Sequence, residues 1–293
     1  MTEEHIPNSR IVIFCSPIIG VFLAAYLLNF YLLKFSTDVL LISPAVIGTV
    51  LLLARVWDAV TDPAFGWLSD RTHSSLGRRR PWLLASALPL GASIVMLWSP
   101  PTSLEGTSLT AWIGIAVILF FTAYTAFRVP HMAMAAELSR GYHDRTRVFG
   151  IMQATESIGL LSAAIAVVFL EQAEDPRSFA RLLSMAIGAF AVVMVVIVVL
   201  RLRERAEFFG RGGTHPFRAF RDVFNNPHAV VLVGVFFLEQ FGFAILLALI
   251  PYLSDYLLNT PGSTGIYLFG AIGAALVSIP VWLKLWTSKK NLF

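Results

Sequence analysis

Cysteine is nearly absent: the chain has one, Cys15, inside its first apolar run. An intrachain disulfide is therefore excluded, and one thiol builds no metal cluster. Charge is scarce too. Asp, Glu, Lys and Arg make up 14% of the residues, against roughly a quarter in a soluble domain. The N-terminus, MTEEHIPNSR, is polar and acidic. It lacks the basic start and small-residue cleavage site of a secretory signal, so the first apolar helix is expected to be retained. There is no low-complexity tract. The net charge of +4 sits in loops between apolar runs, which does not point to a nucleic-acid partner.

What is abundant is apolar sequence, 57% of 293 residues. A helix needs about 20 apolar residues to cross a bilayer. The runs here are continuous and not alternating, which selects helices over a barrel. The fold class expected is an all-α integral membrane bundle. Eight spans are read at about 11–33, 44–69, 82–99, 109–136, 148–170, 180–201, 229–253 and 264–286. The longest loop, 202–228, is basic, and its HPFRAFRDVFNNPH stretch has the pattern of an amphipathic surface helix.

Orientation follows from the basic residues. Seventeen Lys and Arg fall on one alternating set: the N-terminus, loops 70–81, 137–147 and 201–228, and the C-terminus. The other set holds three, Lys34, Arg177 and Arg181. Both termini are expected on the cytoplasmic side of a plasma (inner) membrane. The chain then divides into a six-helix part at 1–201, a cytoplasmic loop at 202–228 and a two-helix part at 229–293.

Six ionisable residues lie inside the spans: Arg55, Asp58, Asp62, Arg128, Glu156 and Glu239. A charge at the bilayer centre costs about 2.5–3.5 kcal/mol on insertion scales, so each needs a reason. Arg55, Asp58 and Asp62 are spaced three and four apart and share one helix face, with Thr61 flanking it. Together the six sum to −2. A buried cluster short of positive charge takes up a proton or another cation. Carboxylates and hydroxyls are hard oxygen ligands that suit Na⁺. The plainer reading is an Arg55–Asp58 ion pair that only holds helices together. Glu239 is either a functional midplane acid or the lining of a polar gap beside Gln240. His131, after Pro130, reads as a packed or hydrated histidine sooner than a proton relay.

Residues 52–82, LLARVWDAVTDPAFGWLSDRTHSSLGRRRPW, resemble the glycoside–pentoside–hexuronide:cation symporters, the melibiose permease group of the major facilitator superfamily. The pattern R-x-W-D-x-x-x-D-P-x-x-G-x-x-x-D-x-T followed by G-R-R-R-P-W carries the likeness. YTAFRVPHMAMAAELSRGYHDRTR, residues 124–147, is similar to the family's fourth helix and the loop after it. The resemblance implies a major-facilitator-type bundle and cation-coupled symport of a sugar, glycoside or related organic solute, with no cofactor beyond the coupling ion, Na⁺ or H⁺. By position, Asp58 and Asp62 match the cation-binding carboxylates (the Na⁺ ligands, if Na⁺ is used), and Thr61 and Thr125 the polar ligands beside them. Asp70, Arg71, Gly77, Arg78 and Arg79 match a cytoplasmic gate loop, with Arg55 as an ion-pair partner. Trp57, Arg128, Gln153 and Glu156 form the expected solute-facing set.

The likeness has gaps. The family's helix-1 acid is Phe22 here, its helix-4 acid is Arg128, the aromatic a turn later is Met132, and its helix-5 arginine is Gln153. Melibiose-like galactosides are therefore not the expected solute. Arg128 could instead receive an anionic group, and the family includes lysolipid symporters. Superfamily members have twelve helices and eight are read here, so a C-terminally truncated frame, inactive by itself, is one expectation. Two other functions remain open on sequence: a membrane-embedded Mg²⁺-dependent transferase, whose second aspartate cluster is not found, and a receptor or scaffold without transport. The oligomeric state is open.

Overall fold

In the computed structural model, residues 6–138, 141–202, 204, 221 and 223–289 are described, with backbone alone for residues 142, 275–276 and 279–289. The helices are α1 (Asn8–Lys34), α2 (Pro44–Arg71), α3 (Arg80–Trp98), α4 (Gly106–Glu137), α5 (Tyr142–Gln172), α6 (Pro176–Arg201), α7 (Pro227–Tyr252) and α8 (Thr264–Lys289). Among the described residues, seven helices are long and apolar enough to span a membrane, and α8 adds the shorter apolar segment Thr264–Ala274. The molecule is an integral membrane protein, and the helices fall where the apolar runs place the eight spans. Of the expected surface helix at 215–228, residues 215–220 and 222 lie outside the described set, while Arg221 and residues 223–224 are helical.

The helix starts follow from local chemistry. Proline opens α2, α3, α6 and α7, where its missing N–H costs nothing. Glu105 and Ser108 form a reciprocal capping box on α4. Asp175 accepts from the backbone N–H groups of Arg177 and Ser178 at 3.0 and 3.1 Å. The Ser178 hydroxyl and backbone together hold its carboxyl below the usual carboxylate range.

Around the bundle, α1 packs on α5 and α6, α3 on α4 and α6, and α2 on α4. Lipid supplies no hydrophobic drive between helices, so close backbone contact matters more. It occurs where Gly91 of α3 meets Gly188 of α6: a Cβ on residue 188 would stand 2.9 Å from the Gly91 carbonyl oxygen. Gly188→Val is expected to force these helices apart at a cost of about 1–3 kcal/mol. Thermal unfolding in detergent, beside a control substitution at the lipid-facing Leu182, checks this.

The remaining two helices lie against α1 and α5. α7 touches α1, and α8 packs on α5. The buried residues of α7 are Leu247 and Pro251, both near its C-terminal end, whereas residues from Val230 to Leu246 are exposed along its length.

Candidate functional site

The α2 face predicted from the three-and-four spacing turns toward α1 and α4. Thr125 of α4, 1% exposed, is the meeting point. Its Oγ1 lies 2.9 Å from Asp58 Oδ1 and 2.9 Å from Asp62 Oδ1. A hydroxyl carries a single hydrogen. It can donate to one of these carboxylates, and the other is left facing an oxygen. Two ionised carboxylates cannot both be satisfied by this hydroxyl. A proton on one of them, or a cation between them, completes the arrangement. Thr61 is buried beside them, and its own hydroxyl donates to the Asp58 carbonyl at 3.2 Å.

Arg55 corrects one expectation. It forms no ion pair with Asp58 among the described residues. Its guanidinium donates to Asn29 Oδ1 of α1 and lies 5.0 Å from the Phe121 ring centroid. Asn29 is itself anchored, its Nδ2 donating to the Ala25 carbonyl at 2.7 Å. The long arginine stem carries the charge across to α1, so the short Asp58 side chain is free to face α4. Asn29 was not anticipated. The signal was present, since it is a lone amide in an otherwise apolar, uncharged span.

A second group lies between α1, α4 and α5. Arg128 donates to the Tyr124 hydroxyl at 3.0 Å, and its guanidinium sits 5.3 Å from the Phe22 centroid and 5.6 Å from that of Tyr124. Tyr26 donates to Glu156 Oε1 at 3.0 Å. Phe22, where the resembled family has an acid, supplies a ring face to the cation in place of a charge. Arg55 lies one turn before Asp58 on α2 and Arg128 lies three residues after Thr125 on α4, so both arginines are carried by the two helices that bring Asp58 and Asp62 together. Three acids (Asp58, Asp62, Glu156) and two arginines are thus gathered, leaving one negative charge. Glu239 is not among them: it lies on the exposed stretch of α7. The excess is therefore one and not two.

Trp57 is not part of the Arg128 group. Its indole N–H donates to Thr122 Oγ1 at 2.8 Å, on α4 nearly two turns before Arg128. Gln153 is exposed on α5, one turn before Glu156. His131 is buried between Phe14 and Phe127, with ring centroids 4.1 and 4.9 Å away. Its Nε2 is 2.9 Å from the Phe14 carbonyl oxygen, which can only accept, so that nitrogen carries the hydrogen. It is a packed histidine.

The α2–α3 loop is a separate cluster. Arg79 reaches Asp70 at 2.8 Å and Glu137 at 2.8 Å; Arg78 reaches Glu137 at 2.8 Å and Asp70 at 3.8 Å. The carboxylate of Glu204, just past α6, accepts from the backbone N–H groups of Arg78, Arg79 and Arg80 at 3.0, 2.8 and 2.8 Å. It thereby caps the start of α3, where the helix dipole favours an anion. Gly77 turns at φ +112°, and a Cβ there would meet Glu204 Oε1 at 2.7 Å. Arg71 does not join: its guanidinium lies 4.5 Å from the Trp67 ring centroid. Glu137 and Glu204 are the members not expected: Glu137 lies within the second similar stretch, 124–147, without having been assigned to the loop, and Glu204 lies more than 50 residues beyond either stretch.

The chain is 30% identical over 195 residues to an uncharacterized symporter, sll1374, of Synechocystis, covering 64% of this chain and 36% of that one. It is 23% identical over 270 residues to the isoprimeverose transporter of Lactiplantibacillus pentosus, covering 90% and 56%. It is 24% identical over 292 residues to the sodium-dependent lysophosphatidylcholine symporter 1 of Gallus gallus, covering 87% and 55%. The chain therefore spans about a third to a little over half of the length of these relatives. The family description and these names indicate transporters. The model of the MFS/sugar transport protein family matches residues 13–293, nearly the whole chain, and the protein belongs to that family.

Proposed function

We propose that this chain carries the cation-coupling half of a secondary transporter that moves a sugar, glycoside or related organic solute together with Na⁺ or H⁺. The observation that supports this is the single Thr125 hydroxyl placed at hydrogen-bond distance from two carboxylates, in a group with one uncompensated negative charge. One monovalent cation or one proton brings that group to neutrality. Asp58 and Asp62 are the ligands in this reading, Thr125 positions both, and Thr61 holds the α2 backbone beside them. In it, residues 1–201 form the six-helix bundle, 202–228 the cytoplasmic loop and 229–293 a two-helix part that packs against it. Coupling follows from linkage: each ligand must bind better when the other is present.

A second reading concerns the solute. Arg128 is held over two aromatic rings with only a tyrosine hydroxyl as described hydrogen-bond partner. That arrangement favours a solute with an anionic group, and a lysolipid-type amphiphile fits it as well as an acidic sugar.

Uptake into membrane vesicles under an imposed Na⁺ or pH gradient tests the proposal. Accumulation of a glycoside or lysolipid that collapses with one of the two gradients is the expected result. Uptake indifferent to both would overturn it.

A further inference from the structure

The outer ends of α1 and α7 match each other step by step. Each helix passes into a one-turn π-helix, Phe35–Val39 and Leu253–Leu257. In each the amide after the turn returns to its first residue, Leu40 N–H to the Phe35 carbonyl and Leu258 N–H to the Leu253 carbonyl. The next residue has a left-handed backbone, Leu41 at φ 58° and Asn259 at φ 52°. The one after that folds back, Ile42 N–H to the Ser36 carbonyl and Thr260 N–H to the Ser254 carbonyl, both at 2.9 Å. In this correspondence Lys34 matches Tyr252 and Thr37 matches Asp255.

The contacts between the two ends obey the same correspondence. Lys34 Nζ reaches Asp255 Oδ2 at 2.6 Å, and the Thr37 hydroxyl lies 3.2 Å from the Tyr252 hydroxyl. Residue one of the first end meets residue two of the second, and the reverse. That is the signature of an isologous interface about a two-fold axis. A third charge backs it: Glu171, at the end of α5, reaches Lys34 at 3.1 Å, and its side chain is 2% exposed. Glu171 also accepts from the Gly265 N–H at the start of α8. Lys34 thus joins the ends of α1, α5 and α7, and Glu171 ties the start of α8 to them.

We propose that Lys34, Glu171 and Asp255 form the outer gate of the protein, sealed in this structure, with Lys34–Asp255 as the bond that opens. The side follows from the arginine asymmetry, which puts these loops outside. The choice of bond follows from packing. Lys34 and Glu171 lie on α1 and α5, which contact each other along their lengths. Asp255 lies on the π turn that continues α7, and α7 rests on α1 near this end and is exposed along the rest of its length. If α7 swings, Lys34 keeps Glu171 while Asp255 passes to water. The lysine never stands unpaired in a low-dielectric setting, the costly outcome for a buried charge. Asp255 Oδ1, buried without a hydrogen-bond partner in the closed arrangement, gains water on opening.

The test is thiol labelling with a membrane-impermeant maleimide added from outside. The reporter is Asn29→Cys, about 7.5 Å further down α1 from Lys34 by helix rise. Cys15, buried in the same helix, is the internal control. With the gate residues intact, outside labelling at the reporter is expected to be slow. Asp255→Asn and Lys34→Met are each expected to raise it tenfold or more while Cys15 stays unlabelled. Asp255→Glu, which keeps the charge, is expected to stay slow. An unchanged rate in both neutral variants, fast labelling with the gate intact, or a rise shared equally by Cys15 overturns the gate. None of these readings needs solute or a coupling ion, so the gate and the transport reading fail separately.

Discussion

Asp62→Asn is expected to abolish cation-driven accumulation of solute, with a loss of about 100-fold or more. The reasoning is one of donors and charges. Asparagine is isosteric but neutral, and it presents an NH₂ as well as an oxygen. Its oxygen or its NH₂ pairs with Thr125 without any ion, so the unsatisfied carboxylate that calls for a cation is gone. The gathered group also falls from one negative charge to none. A hydrogen bond to a charged group contributes about 1.5–3 kcal/mol, and 2.7 kcal/mol is a factor of about 100 in binding. Asp58→Asn is expected to act alike, because its Oδ1 is equivalent in distance to Thr125. Thr125→Val is milder, about 10-fold, since both charges remain and one positioning hydroxyl is lost. Initial uptake rates with and without an imposed ion gradient separate lost coupling from lost solute binding. Arg128→Lys is the contrast: the charge of the group is kept while the planar guanidinium donors are lost, so solute affinity falls and the ion dependence of what uptake remains is kept.

The second large effect is structural and lies at the other end of the helices. Glu204→Ala leaves the N–H groups of Arg78, Arg79 and Arg80 without their described acceptor. Loss of a helix cap costs about 0.5–2 kcal/mol, and this carboxylate caps with a full charge and three bonds. The expected destabilisation is roughly 2–3 kcal/mol, or roughly 3–5 °C in melting temperature for a chain of this size. Gly77→Ala is expected to do comparable damage by a different route. It places a Cβ 2.7 Å from the same carboxylate oxygen and on a backbone at φ +112°. Arg71→Ala is expected to cost little beside these, because the contact described for Arg71 is its stack on Trp67. Melting curves of the three variants in one detergent give the order directly.

Much of this architecture could be read from the chain. The continuous apolar runs placed the helices because lipid leaves a spanning segment no other way to satisfy its backbone. Asp58 and Asp62 were visible because their spacing and their cost in a membrane both stand out. What escaped reading depends on distance along the chain. Arg55 turns to Asn29, a residue on another helix that helical spacing on α2 cannot predict. Glu204 meets the α3 N-terminus more than 120 residues away. Glu239 scored as a membrane charge like the others, yet α7 carries it away from the group, and only the packing of α7 on the end of α1 decides that. The matched π turns at Phe35 and Leu253 are backbone events, and FSTDV and LSDYL share too few residues to announce them.

The most direct test of the central claim is cation binding to the purified chain, without solute. Calorimetric titration with Na⁺ at several pH values, in a choline background, measures it. The account predicts one saturable site per chain, if Na⁺ is the coupling ion, with protons competing for it. If the ion is H⁺, it predicts uptake of one proton by the Asp58–Asp62 pair and no Na⁺ heat. In either case the Asp58→Asn/Asp62→Asn variant shows neither. Na⁺ binding or proton uptake undiminished in that double variant would contradict the claim that these two carboxylates hold the ion.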